Sequence, residues 1–149
     1  SKAISFGASN ISSKSGDLKL KSETSTKNAL VAGDVNAAID LNKDFANFST
    51  NDMYEHVSMP SQNFSTSLNN FTYDLKKREV NFIKPKGLDD DSAYFVLDNP
   101  AMQGLKINSK KATFDLNKLD LTAQEVPNIL VADSRIFTPH NEILIQNEA

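Results

Sequence analysis

The chain has 149 residues, a net charge of −3 and no cysteine. The missing cysteines exclude disulfides, thiolate metal sites and a thiol nucleophile. Both charge signs are interspersed, so no surface for nucleic acid is expected. No run of eighteen apolar residues occurs, so the chain is expected not to span a membrane.

The first 27 residues contain two short apolar alternations. They predict strands at residues 4–6 and 17–21, with a Ser- and Asn-rich turn between them. The chain begins without Met and stops directly after a strand-like segment, residues 142–146. We therefore expect a fragment of a longer chain, whose first 27 residues end a preceding unit.

A hairpin-like motif occurs three times, at residues 36–43, 70–77 and 111–118. It alternates with a proline turn at residues 58–62, 98–102 and 137–141. The prolines are 40 and 39 residues apart, so one unit has about forty residues. Such a period is typical of repeat architectures, in which each unit buries its apolar face on its neighbours. The predicted units are residues 1–27 (partial), 28–62, 63–102 and 103–149, together forming a single module of residues 1–149.

Period-two alternation indicates that each motif is a pair of strands around a turn. Asp40, Asp74 and Asp115 stand just before the turns, where a carboxylate can accept turn N–H bonds. In the third copy Asn117 and Lys118 predict a two-residue turn, and in the first copy slipped spacing predicts a bulge. The predicted core comprises Phe71, Tyr73, Leu75, Val80, Phe82, Phe114, Leu116, Leu119, Leu121, Ile39 and Leu41.

Two further segments complete the predicted organisation. Residues 84–92 read as an inserted loop of turn formers, and residues 129–137 read as one strand that enters the last proline turn. No helix longer than two turns is expected. The predicted fold is all-β, a repeat-built antiparallel meander resembling a jelly roll or solenoid, with about 3.5 units. A two-sheet sandwich is an alternative architecture. A membrane barrel is disfavoured, because stretches such as residues 65–70 lack the apolar alternation that it requires.

One family resemblance emerges from residues 104–115 and 119–123, with a weaker match at residues 32–37. These segments resemble the unit of the OstA-like periplasmic lipopolysaccharide-transport family. The resemblance implies a jelly roll open at both ends, whose apolar groove carries lipid and whose end strands stack on partner domains. Residues 126–139 are also similar to segments of large, uncharacterised repeat proteins of Bacteroidetes cell envelopes. Both resemblances imply a bacterial envelope location, periplasmic or outer-membrane associated.

No catalytic or metal constellation emerges from the polar residues. His56 and His140 stand in no metal-spaced or triad-like setting, so both are interpreted as surface residues. Residues 89–91 are three aspartates without the alternating spacing of a calcium loop, and a solvated turn is the favoured interpretation. We predict no cofactor and no enzymatic activity. Ser92, within Asp91-Ser92-Ala93, matches a short O-glycosylation pattern of Bacteroidetes.

Three functional hypotheses remain open. The first is a structural or interaction module of a large envelope protein that binds other repeats or envelope proteins through its terminal strand edges. The second is a lipid conduit, with a groove lined by Phe64, Leu68, Phe71, Tyr73, Leu105, Ile107, Phe114 and Ile136. The third is a glycan-binding adhesin module, for which Tyr54 and Tyr94 are the candidate aromatic residues.

Overall fold

The computed structural model describes residues 9–52, 56–97, 105–131, 134–136 and 140–146. Within these ranges the protein is all-β and antiparallel, which confirms the predicted fold class. A single 3-10 turn at Asp90–Ser92 is the helical element of the described residues. The strands are β1 (Asn10–Lys21), β2 (Asn28–Asp40), β3 (Phe45–Thr50), β4 (Val57–Met59), β5 (Phe64–Thr66), β6 (Asn70–Asp74), β7 (Glu79–Ile83), β8 (Tyr94–Leu97), β9 (Leu105–Asn108), β10 (Lys111–Asp115), β11 (Asp120–Gln124), β12 (Ile129–Val131), β13 (Ser134–Ile136) and β14 (Glu142–Ile145).

The long strand β2 divides the sheet into two wings. Its second half pairs with β3, from Val35 opposite Thr50 to Asp40 opposite Phe45, and the order continues β6-β7-β10-β11-β14, which we call wing A. Its first half pairs with β4 at Val31, and the order continues β5-β8-β9-β12-β13, which we call wing B. Strand β1 pairs with both halves of β2. Each hairpin of wing A is thus followed along the chain by a hairpin of wing B.

The sheet curls so that the two wings face each other across one hydrophobic core. Phe82 of β7 and Phe95 of β8 are far apart in the strand order, yet their rings lie 5.8 Å apart at an interplanar angle of 85°. Phe71 lies between Phe48 and Phe82 in wing A, with ring centroids 5.3 and 5.5 Å apart. Burying a large apolar side chain contributes about 1.5–3 kcal/mol, so these rings are a main source of stability.

The core combines large and small side chains on neighbouring strands. Phe82 lies opposite Ala112 on β10, and Phe114 lies opposite Val80 on β7. Such alternation lets the two inner faces interdigitate without voids. Most of the predicted core is confirmed: Phe71, Val80, Phe82, Phe114, Leu116, Leu119 and Leu121 are buried, while Tyr73, Leu75 and Ile39 are partly buried against them.

The three Asp-Leu hairpins share one loop geometry. In each, the Asp Oδ1 accepts the backbone N–H groups two and three residues on, at 2.8–3.2 Å. The predicted role of Asp40, Asp74 and Asp115 is therefore confirmed. Each loop has four residues, because each Asp pairs with the residue five positions on. The division into units of about forty residues stays a prediction.

The predicted two-residue turn at Asn117 and Lys118 is wrong. The loop includes Leu116 and Leu119, and the left-handed residue is Leu119, with φ 59°. Asp44 and Arg78 hold the equivalent position in the other two loops, with φ of 50° and 52°. A bulky residue is rarely found in this conformation, and burial of the Leu119 side chain in the core offsets the strain.

Four other expectations also differ from the structure. Leu41 is not in the core: it is 38% exposed in its hairpin loop, whereas Leu116, at the equivalent position of the third loop, is buried. The predicted bulge in the first hairpin is absent, since β2 and β3 pair in regular register there. The irregularities lie between β1 and β2 instead, and β1 runs through the predicted Ser- and Asn-rich turn. Residues 129–137 do not form one strand, because Ile129 pairs with Ile136 across a β12–β13 hairpin.

The proline turns can be compared with the structure at one position. Gln62 and Asn63 donate backbone N–H bonds to Met59 and Pro60, and Asn63 is left-handed, so the first turn is confirmed. Residues 98–102 and 137–139 lie outside the described residues. The predicted strand at residues 4–6 lies outside them as well.

Candidate functional site

An apolar cavity of about 340 Å³ lies on the inner face of the sheet at its β1 end. One wall is the wing B half of β1, with Leu18 and Leu20, and the facing wall comes from β2, β3 and β6 of wing A. Its lining residues are Ser13, Gly16, Asp17, Leu18, Leu20, Val35, Ala37, Ile39, Ala46, Phe48, Tyr73 and Leu75. A volume in this range is typical of ligand pockets.

The cavity exists because small side chains are paired across β1 and β2 at this end of the sheet. Ser13 lies opposite Ala37, and Gly16 lies opposite Val35. Leu18, Leu20 and other lining side chains remain partly exposed. The inner face is therefore apolar but incompletely filled.

Tyr73 contributes a phenolic side chain to the cavity wall. Burial raises the pKa of the Tyr73 phenol above its ordinary value; the Arg78 guanidinium partly opposes this rise and the Asp74 carboxylate adds to it. The hydroxyl is therefore protonated at neutral pH and can donate a hydrogen bond.

Arg78 connects the two walls at the rim of this cavity. It lies in the same hairpin loop as Leu75, and its Nη2 donates to the carbonyl oxygen of Lys21 at 2.9 Å, one residue after Leu20. Its Nε donates to Asn117 Oδ1 at 3.1 Å. Both acceptors are neutral, and no carboxylate of the described residues forms an ion pair with this guanidinium.

The predicted groove residues are not gathered around this cavity. Of the eight, Tyr73 lines it, whereas Phe64, Leu68, Phe71, Ile107 and Phe114 are buried in the core. Leu105 is partly buried against the core, and the side chain of Ile136 lies outside the described residues. Sequence reasoning missed Leu18 and Leu20 as site residues, although their alternation with Lys19 and Lys21 was the available signal.

Tyr94, a candidate glycan platform, is engaged by its neighbours. The Lys106 ammonium lies 4.0 Å from the centre of its ring, and its hydroxyl lies 3.0 Å from His56 Nε2. One face of the ring is therefore covered by a cation. Tyr54 lies outside the described residues. His56 and His140 are both exposed, as predicted.

The loop with three aspartates, residues 89–91, forms ion pairs with two lysines. Asp90 Oδ1 lies 3.1 Å from Lys84 Nζ, and its Oδ2 lies 2.9 Å from Lys110 Nζ. The bond from Lys110, then that from Lys84, lowers the pKa of Asp90, and the same contact raises the pKa of Lys110. Both Asp90 oxygens thus face ammonium groups, an arrangement unsuited to a metal ion. No group of three potential metal-ligating side chains occurs in the described part of the chain.

Ser92 lies at the end of the 3-10 turn in the same loop. Its backbone N–H donates to Asp89 at 3.0 Å, and its carbonyl oxygen accepts from Ser67 Oγ at 2.6 Å. Its side chain is half-buried. The proposed O-glycosylation stays a prediction.

Three strands lie at edges of the sheet as far as the structure describes it. β1 pairs with β2, β14 with β11, and β13 with β12, and none of the three has a described neighbour on its other side. β1 is the longest of them, with 12 residues. Within the described residues, no helix has the length and apolar character needed to cross a membrane.

Comparisons of the chain with models of protein families, with curated proteins and with solved structures find no match. The resemblance to OstA-like units and to Bacteroidetes repeat proteins therefore stays a prediction. Two features of the described structure can serve in binding: the edge strand β1 and the apolar cavity beside it.

Proposed function

We propose that the chain is a non-enzymatic interaction module of a large bacterial cell-envelope protein, joined to neighbouring repeats or envelope proteins by strand addition. The observation that carries the proposal is the edge of β1. Its outward N–H and C=O groups have no described strand beside them, and such groups are a template for another strand. The envelope location rests on the sequence resemblance.

The apolar face behind the edge supports the same function. Leu18 and Leu20 of β1 are partly buried, and so are Ile143 and Ile145 of β14 at the other end of wing A. A strand added at either edge would extend both the hydrogen-bonded ladder and the hydrophobic core. Burial of these side chains would then add to the main-chain hydrogen bonds.

Disulfide trapping between two copies tests edge pairing, with the second copy standing in for a neighbouring repeat. Cross-strand partners form one outward-facing row of side chains across wing A. Ser12 of β1 is at one end of this row and Leu144 of β14 is at the other, with Ala38, Asn47 and Thr72 between them. In the cysteine-free chain, Ser12→Cys and Leu144→Cys should cross-link between copies that pair edge to edge. Ser13→Cys, which faces the cavity, is the matched control and should not cross-link with Leu144→Cys.

Hydrogen exchange provides the second readout. The outward amides of β1 should exchange rapidly in the monomer and slowly in the associated form. Protection of these amides in an isolated monomer would contradict the proposal, because the edge would already be covered.

The cavity favours a second candidate function, binding of an apolar chain. It departs from the predicted groove in its residues, since it is lined by Leu18, Leu20, Ile39 and Leu75. The matched variants are Ala37→Leu, which fills the cavity, and Ala38→Leu, which faces outward on the same strand. Ala37→Leu should weaken binding of 1-dodecanol at least tenfold, and Ala38→Leu should leave it unchanged. Equal affinities in the two variants would exclude the cavity as the binding site.

A further inference from the structure

The rim of the cavity carries a cation whose hydrogen-bonding capacity is partly unused. A guanidinium has five N–H donors, and the bonds that Arg78 makes to described residues occupy its Nε and Nη2 atoms. Both bonds go to neutral oxygens, so its charge is not balanced by a described carboxylate. The remaining donors can bind a carboxylate or phosphate in bidentate fashion.

The surroundings of Arg78 reinforce this positive character. Lys76 and Lys77 belong to the same loop and are exposed, and Lys21 supplies the carbonyl that Arg78 binds. Lys76 is 3.4 Å from Asp44, whereas no ion pair of Lys77 or Lys21 occurs among the described residues. This side of the cavity rim therefore has four basic residues. Its carboxylates are Asp44, which pairs with Lys76, and Asp74, which accepts backbone N–H bonds of its own loop.

The cavity behind this rim is mainly apolar, and Asp17 is the charged residue of its lining. Leu20 and Leu75 lie next to the residues that form the rim, and Tyr73 contributes its phenolic side chain to the cavity wall. Its volume of about 340 Å³ is at the lower end of the range for ligand pockets, which suits one hydrocarbon chain better than several. An apolar interior next to a cationic rim matches a molecule with one apolar tail and one anionic group.

We propose that the cavity binds a single-chain amphiphile with an anionic head group, and that Arg78 binds that head group and thereby determines specificity. The proposal rests on the second proposed function, chain binding in the cavity. The tail lies against Leu18, Leu20 and Leu75, and the carboxylate or phosphate accepts hydrogen bonds from the free N–H groups of Arg78. The same guanidinium keeps the rim closed through Lys21 when no ligand is present.

Three probes with the same chain length test the proposal: laurate, dodecyl phosphate and 1-dodecanol, titrated below their micellar concentrations. Hydrogen bonds between charged groups are worth enough to give the anions an advantage of roughly tenfold to a hundredfold over the alcohol. Arg78→Gln should abolish this advantage while leaving dodecanol affinity within about twofold. Arg78→Lys should retain part of it. The stronger of the two anions identifies the head group as carboxylate or phosphate.

Lys77→Gln is the matched control, because it removes one exposed charge from the same loop. It should change the preference by less than about threefold. If no probe binds the unaltered protein, chain binding itself fails. If the three probes bind equally, or if Arg78→Gln weakens all three in parallel, chain binding stands but Arg78 holds the rim without selecting the ligand, and the head-group proposal is overturned.

Discussion

The middle of the molecule and its β1 end are built from the same alternating strands but are filled differently. In the middle, Phe82 packs against Phe71 and Phe95, and the inner face is sealed. At the β1 end, Ser13, Ala37 and Ala46 leave a cavity that the facing leucines do not fill. The packed middle therefore contributes most of the stability, and the cavity at the β1 end provides space for a ligand.

The largest expected effect is on the free energy of unfolding when a side chain in each region is truncated to alanine. Phe82→Ala should reduce the free energy of unfolding by about 3–5 kcal/mol, because it opens a cavity in a sealed core. Leu18→Ala should cost roughly 1 kcal/mol, since its side chain is only partly removed from water. Urea unfolding monitored by circular dichroism measures both. Equal losses would mean that the β1 end is packed as tightly as the middle.

The hairpin loops of the two regions share the same hydrogen bonds. Asp40 lies near the cavity and Asp115 near the sealed core, yet both accept the same two N–H bonds. Asp40→Ala and Asp115→Ala should each cost about 1 kcal/mol. Asp89→Ala, in the exposed 84–92 loop, is the control and should change stability little. A much larger loss for Asp115→Ala would show that packing beneath the loop contributes.

Filling the cavity tests the β1 end directly. Ala37→Leu should stabilise the protein by roughly 0.5 kcal/mol, the lower part of what cavity filling gives, because the cavity is open to solvent. Ala38→Leu exposes a leucine and should give no gain. Thermal unfolding of the two variants, side by side, distinguishes a fillable cavity from a space that the wings close in solution.

The smallest effect concerns the inserted loop, whose ion pairs respond to pH. The lowered pKa of Asp90 means that its contribution is present above the pKa of about 3.9 of an unfolded Asp and is lost as pH falls through the folded value. The raised pKa of Lys110 means that its contribution is present below about 10.4 and is lost as pH rises through the folded value. Amide exchange in residues 84–93 should therefore accelerate below about pH 4 and above about pH 10.5, after correction for intrinsic rates. Asp90→Asn should remove both dependences.

The sequence predicted the parts of this fold that depend on local pattern. The alternation around Phe71 and Phe114 correctly placed the core face, and Asp40, Asp74 and Asp115 correctly indicated the turn bonds. Loop length was less predictable. Leu116 continues the alternation of Ala112 and Phe114, and Leu119 continues that of Leu121, although both leucines belong to the loop. The β12–β13 hairpin was missed although Asp133 and Ser134, in the middle of residues 129–137, are residue types common in turns.

The cavity could not be predicted from these patterns. Alternation tells which face of a strand is buried, but the curl of the sheet decides what that face meets. Leu18 and Leu20 become site residues because the curl of the sheet brings β1 close to residues of wing A. This curl depends on contacts between residues that are distant in sequence. The bond from Arg78 to Lys21 depends on the same curl, so no spacing in the sequence indicated it.

The bond between Arg78 and Lys21 has a kinetic consequence. It joins residues 57 apart in the sequence, whereas each Asp-Leu hairpin closes a loop of four residues. Short-range hairpins form early, and contacts that close a long stretch of chain tend to form late. An interaction absent from the transition state affects the rate of unfolding and hardly that of folding. Arg78 therefore contributes to how long the folded protein persists once formed, and its replacement should speed unfolding without slowing folding.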